Sequence, residues 1–198
     1  MLSLAQGKTL VRLARKAIES HFDGKHIELD YEEKSFSEKQ GVFVTLNKKG
    51  RLRGCIGFPE PVFPLNEALV KAARSAAFSD PRFSSLKKHE LEKITIEISV
   101  LTVPKLIKVD DPEKYLEKIE IGEDGLIVRT DIGSGLLLPQ VFVEYNAKPR
   151  LALEMTCQKA GLSRKYYKQI EDCKIYKFQA QIFKETEPKG KIIQIREK

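Results

Sequence analysis

Two stretches of this chain, about 41–102 and about 121–185, carry the same order of local signals: a β-hairpin, a helix, then a strand. That order restricts the fold more than any single residue does. A hairpin demands antiparallel pairing, and a helix returning to a further strand needs a sheet face to pack on, so the expected class is α+β. In the first stretch Gly41-Val42-Phe43-Val44-Thr45-Leu46 runs into the turn Asn47-Lys48-Lys49-Gly50, and Arg51–Phe58 returns. Pro59, Pro61 and Pro64 punctuate a loop, the Ala-rich segment 65–78 reads as a helix, and Pro81 ends it by disfavouring helix at Asp80. Lys93–Thr102 alternates cleanly, with Ile94, Ile96, Ile98 and Val100 on one face and Thr95, Glu97 and Ser99 on the other.

The second stretch repeats this with a short helix near 112–119, strand segments at GLIVRT and GLLLP, a helix at about 150–160 stopped by Gly161, and a long alternating strand over Lys174–Glu185. Ahead of both, residues 3–22 form an amphipathic helix capped by Ser3 with Gln6, its His21 placed to meet the last carbonyls. Residues 23–40 read as a loop, and the tail from Pro188 as an added edge strand. The expectation is one compact α+β unit over 1–198 with an internal duplication, its sub-halves about 1–104 and 105–198, and a mixed or barrel-like sheet flanked by helices.

Composition excludes several classes. No apolar window is long enough to span a bilayer, and the charged N-terminal segment lacks a signal-peptide cleavage site. The three cysteines Cys55, Cys157 and Cys173 are odd in number and widely spaced, which suits a reducing, cytoplasmic setting and no disulfide framework. Neither they nor His21, His26 and His89 have metal-ligand spacing, so no metal site is expected, and no nucleotide motif names a cofactor. The net charge of +7 is spread evenly along the chain. A solvated Lys/Glu surface explains most of it. Arg164-Lys165-Tyr166-Tyr167-Lys168 is the best nucleic-acid candidate, with Arg164, Lys165 and Lys168 for phosphates and Tyr166 for stacking.

One segment breaks local rules. Arg51-Leu52-Arg53-Gly54-Cys55-Ile56-Gly57 holds two glycines in a short strand, which marks a bulge or a close approach to the backbone. Strict alternation places Arg53, Cys55 and Gly57 on one face, so Arg53 can activate the Cys55 thiol or clamp an anion beside it. Alternatively, Cys55 is a small buried hydrophobe and the glycines admit a helix. Glu97, mid-strand between isoleucines, is either solvated on an open face or an acid/base group near Arg53. Asp80 and Arg82 form a helix-ending turn that can also project into the same site.

Leu52-Arg53-Gly54-Cys55-Ile56-Gly57 resembles the hallmark hexapeptide of the AMME chromosomal region (AMMECR) family. The run Ala72-Ala73 to Ala76-Ala77-Phe78-Ser79-Asp80-Pro81-Arg82-Phe83 follows, then Leu86 and Glu90, and Ile96-Glu97-Ile98-Ser99-Val100-Leu101 with Pro104. Gly135-Leu136-Leu137-Leu138-Pro139-Gln140-Val141 and Cys157-Gln158-Lys159-Ala160-Gly161-Leu162 complete the ordered set. The resemblance implies a compact α+β fold with internal duplication and a biochemical role that is unsettled; the residues themselves point to a ligand-binding cleft on the LRGCIG strand, with Cys55 and Glu97 as chemical groups and Arg53, Gly54, Gly57, Asp80 and Arg82 as ligand contacts. The resemblance also implies work beside Memo-type and radical S-adenosylmethionine proteins in a modification pathway. The alternative is a non-catalytic module binding protein or nucleic acid. Where many relatives carry tryptophans, this chain has Tyr145 and Tyr166 or Tyr167, and its cysteine spacing suits no iron–sulfur cluster.

Overall fold

A computed structural model describes residues 2–25, 27, 29 and 33–195 of the 198-residue chain, so His26 and the last three residues of the tail lie outside the described residues. The elements in chain order are α1 (Leu4–Asp23), α2 (Lys34–Ser37), β1 (Gly41–Lys48), β2 (Arg51–Phe58), α3 (Leu65–Phe78) and β3 (Ile94–Leu101). There follow β4 (Lys105–Leu106), α4 (Tyr115–Lys118), β5 (Gly125–Arg129), β6 (Ser134–Leu137), α5 (Pro139–Glu144), α6 (Pro149–Lys159), β7 (Lys174–Phe178), β8 (Ala180–Glu185) and β9 (Ile192–Ile195). The fold is α+β, on two antiparallel sheets rather than one. The chain divides into two compact units, one of Met1–Leu101 with Gln181–Arg196 and one built from Thr102–Ala180.

In the first unit the sheet order is β2-β1-β3-β8-β9. The β1–β2 turn needs positive φ at both central residues to match strand twist, and Lys49 (53°) and Gly50 (73°) supply it. The α1 cap forms as its sequence dictates, with Gln6 N–H donating to Ser3 Oγ and Ser3 N–H to Gln6 Oε1. Leu10, Val11, Ala14, Ala17 and Ile18 of α1 and Ala72, Ala73, Ala76 and Ala77 of α3 are buried in one core with Val42, Val44 and Leu46 of β1 and Ile94, Ile96 and Ile98 of β3. His21 stands in the last turn of α1, and its ring stacks on Phe78, centroids 3.9 Å apart. A buried ion pair ties α1 to β8, Arg15 Nε donating to Glu185 Oε1 at 2.7 Å, and Ile96 N–H of β3 donates to the same carboxylate at 3.0 Å. Burying that pair is tolerable because backbone groups occupy its remaining hydrogen-bond positions.

In the second unit the sheet order is β4-β7-β5-β6, with Leu126, Val128, Phe142, Leu153, Cys157 and Ile175 in the core. Its hairpin, helix and following strand are arranged β6-β5-β7, matching β2-β1-β3 of the first unit. The helix in each unit sits close to a glycine of the hairpin's second strand. A Cβ on Gly54 would lie 2.1 Å from the Ala76 carbonyl oxygen, and one on Gly135 would lie 2.5 Å from the Ala160 nitrogen.

Three expectations change. The strand over Lys174–Glu185 is two strands, broken at Gln179 and belonging to different sheets. Gln179 is held there by Thr102, whose N–H donates to the Gln179 carbonyl and whose hydroxyl accepts from Gln179 N–H, both at 2.9 Å. Alternation runs straight through such a hand-over, so periodicity does not reveal it. The loop at 23–40 contains the single turn α2, and α5 follows Leu138 with Pro139 at its first position, where a missing N–H does no harm. The tail contributes the edge strand β9, paired to β8.

Candidate functional site

The site begins with a register shift. Leu46 of β1 faces Gly54, but Asn47 faces Leu52, so Arg53 is an extra residue in β2. A bulge re-aims a side chain. Strict alternation puts Arg53 beside Cys55; the bulge instead brings Leu52 to the Cys55 face and sends Arg53 elsewhere. Arg53 Nε and Nη2 donate to the two oxygens of Glu90 at 3.2 and 3.0 Å. Its partner is therefore Glu90, not Glu97.

Glu90 is buried and fully used, also accepting from Lys48 Nζ at 2.6 Å and from Lys87 N–H at 3.0 Å. Hydrogen bonding from Arg53, helped by Lys48 and opposed by burial, holds its carboxyl down to about 2. Sequence reasoning attached no role to Glu90. A glutamate in a turn of Lys87-Lys88-His89-Glu90 looks like surface charge until the hairpin is folded against it.

Asp80 and Arg82 act on the same strand from outside. β2 is an edge strand, so the outward N–H and C=O of Cys55 lack a neighbouring strand. Cys55 N–H donates to Asp80 Oδ2 at 2.8 Å, and Arg82 Nη2 donates to the Cys55 carbonyl at 3.1 Å. Arg82 also closes on Asp80 through Nε (3.0 Å), Nη2 (2.8 Å) and its own N–H (3.1 Å). The Arg82 guanidinium, with the Cys55 and Arg82 N–H groups, holds the Asp80 carboxyl well below the usual carboxylate range despite burial. Asp80 and Arg82 replace the missing strand at one residue.

Because Cys55 points its backbone outward, its pairing with Thr45 is of the non-hydrogen-bonded kind, in which side chains approach closely. Thr45 Oγ1 donates to Cys55 Sγ at 3.2 Å. Thr45 also pairs with Glu97 on β3, so Cys55, Thr45 and Glu97 form one row across three strands. From strand spacing, Cys55 and Glu97 lie about 10 Å apart at their Cα atoms. Burial pushes the Glu97 carboxyl up, and Lys184 of β8 opposes this. Cys55 is half-buried, whereas Cys157 and Cys173 are fully buried and share a hydrogen bond that, with burial, pushes the Cys173 thiol up.

The predicted residues thus separate by position. Cys55 and Glu97 share a face, with Thr45, which the sequence did not single out, between them. Asp80 and Arg82 hold the Cys55 backbone, and Arg53 holds Glu90. Gly54 admits α3, while Gly57 makes room for the Phe43 ring, which a Cβ would meet at 2.4 Å. Among the described residues no group of three or more His, Cys, Asp or Glu is placed to hold a metal ion.

The basic–aromatic segment lies in the second unit. Arg164 pairs with Glu154 and Lys168 with Glu113, and Glu113 also pairs with Arg150. Tyr166 packs against the core, Tyr167 is buried, and Lys165 is exposed. No helix among the described residues is long and apolar enough to cross a membrane.

A protein-family model, AMMECR1, matches residues 11–183. Protein MK0488 of Methanopyrus kandleri is 52% identical over 195 residues, covering 96% of this chain and 94% of that one. Protein MJ0810 of Methanocaldococcus jannaschii is 48% identical, covering 98% of this chain and 97% of its own length. The crystal structure of uncharacterized protein PH0010 from Pyrococcus horikoshii superposes with a TM-score of 0.87 at 48% identity, covering 96% of both chains.

Proposed function

The chain belongs to the AMMECR1 family, and on that premise we propose that the row Cys55, Thr45 and Glu97 is its working surface, holding a small ligand beside the Cys55 thiol. One observation carries this reading. The thiol is half-buried, its sulfur meets the Thr45 hydroxyl at 3.2 Å, and its backbone is pinned at both polar atoms by Asp80 and Arg82. Two charged side chains hold the backbone of this one residue at the strand edge. A fixed backbone with a usable side chain is what positioning a reactive or ligand-binding group requires.

In this reading Cys55 is the nucleophile or ligand contact, and Glu97, on the same face and with its carboxyl pushed up by burial, is the acid/base or hydrogen-bonding group for the ligand. Asp80 and Arg82 are positioning residues, and Arg53 acts at a further remove by anchoring the bulge to Glu90. Memo-type and radical S-adenosylmethionine proteins, which the family resemblance suggests, are the partners of this reading, in a modification pathway. Engagement of Arg164 and Lys168 by carboxylates favours this surface over the basic–aromatic segment.

Native alkylation tests it. Iodoacetamide, followed by peptide mass spectrometry, should label Cys55 well before Cys157 and Cys173, and Glu97→Gln should change the pH profile of the Cys55 rate while leaving the fold intact. Labelling of Cys55 no faster than that of the two buried cysteines would remove the thiol from the proposal. Retention of a co-purifying Memo-type protein by wild type but not by Glu97→Gln would support the partner arm.

A further inference from the structure

The second unit has an open cavity of about 740 Å3, lined by Lys105, Leu106, Ile107, Lys108, Glu117, Lys118, Ile119, Glu120 and Lys177. Four lysines border one space. Lys105 of β4 is directly opposite Lys177 of β7, and like charges so placed destabilise a strand pair. β4 is only two residues long and lies at the sheet edge, where nothing in the pairing compels lysine at that position.

The framework of the cavity is itself tied by lysines. Lys118 Nζ donates to the Lys108 carbonyl at 2.6 Å, and Lys177 Nζ donates to the Lys118 carbonyl at 2.8 Å and to Asp124 Oδ2 at 2.9 Å. An ammonium has three donors, so Lys118 keeps two and Lys177 one for a ligand. Among the described residues the ammonium groups of Lys105 and Lys108 have no carboxylate partner. With Lys177 paired to Asp124, three lining cations, Lys105, Lys108 and Lys118, face two lining carboxylates, Glu117 and Glu120.

From this we infer that the cavity is a binding site for a phosphorylated small molecule. A multiply charged anion would meet the cations that carry no carboxylate partner among the described residues, Lys105, Lys108 and Lys118, and lysine serves phosphate as a mobile point charge. The volume is that of a small-molecule site, and it exceeds what a bare phosphate fills. Leu106, exposed on the edge strand, offers the organic part an apolar wall, and Glu117 and Glu120 offer acceptors for its hydroxyl groups. The site shares no residue with the Cys55 surface, and every residue in it belongs to the second unit.

Isothermal titration at fixed ionic strength, with inorganic phosphate, pyrophosphate and ribose 5-phosphate as probes, decides it. Pyrophosphate and ribose 5-phosphate should bind more tightly than inorganic phosphate. Lys105→Gln and Lys108→Gln, both at exposed positions, should each weaken binding about tenfold, as expected for loss of one charge-assisted contact. Far-UV circular dichroism verifies that the variants are folded. No binding beyond that seen with chloride, or affinity unchanged in both folded variants, would overturn the site. Equal affinity for inorganic phosphate and ribose 5-phosphate would overturn its organic half. Single-stranded RNA binding that those two variants abolish, with no binding of the small probes, would overturn it in favour of a nucleic-acid surface.

Discussion

Removing the Asp80 carboxylate should loosen β2 by an amount the hydrogen bonds set. The group accepts Cys55 N–H at 2.8 Å and Arg82 N–H at 3.1 Å, besides two contacts from the Arg82 guanidinium. In Asp80→Ala both backbone donors lose their acceptor. An unsatisfied donor costs about 1–3 kcal/mol when buried, and water entering the vacated space keeps the sum near the low end. The Arg82 side chain is 54% exposed, so its ion pair adds at most about 1 kcal/mol. The total is about 2–4 kcal/mol for alanine. Asp80→Asn keeps an acceptor for Cys55 N–H and should lose roughly half as much. The acid limb should change as well. A carboxyl held low in the folded state stabilises above its unfolded value and loses that contribution as pH falls, so both variants should show a shallower loss of stability below about pH 4. Urea denaturation followed by far-UV circular dichroism gives the free energy, and hydrogen exchange of the Cys55 amide locates it. A stability change within about 0.5 kcal/mol with the Cys55 amide equally protected would refute the clamp, since that lies inside the range of ordinary surface substitutions.

Gly54→Ala should be severe, because its new Cβ meets the Ala76 carbonyl oxygen at 2.1 Å and α3 has to move away. A loss of about 3 kcal/mol, or roughly 6–12 °C in melting temperature, is expected, and a melt within 2 °C of wild type would show that α3 yields freely. Glu90→Gln tests the other anchor. Glu90 is held down to about 2, so its contribution is present above about pH 4.5 and vanishes as pH falls toward 2; the variant should lose stability at neutral pH and show a flatter slope across that window. An unchanged slope in acid denaturation would mean that Arg53 and Lys48 do not stabilise the ionised carboxylate.

Local chemistry made much of the fold legible. The Ser3–Gln6 box, the Ala-rich run over 65–78, the isoleucine face of β3 and the stop at Gly161 all depend on residues within one or two turns of each other. The glycines of β2 correctly signalled irregularity, and both a bulge and a close helix approach are present. What the bulge did to neighbouring side chains was not legible. One extra residue inverts the faces on its far side, so Arg53 left Cys55 and found Glu90, which lies 37 residues away. Thr45 was inconspicuous because an ordinary strand threonine gains significance only from the two strands beside it.

By itself, the order of residues determined which segments become helices and strands, where they stop, and that an Arg–Gly–Cys strand is the unusual one. Those outcomes follow from backbone hydrogen bonding and side-chain period, which act over a few residues. Tertiary structure alone decided the partners: Asp80 and Arg82 on the Cys55 backbone, Glu90 on Arg53, Glu185 on Arg15, four lysines around one cavity, and β7 and β8 assigned to separate sheets. Each depends on register and on which distant groups are left unsatisfied once the elements pack, and a charged group settles where burial leaves it a partner.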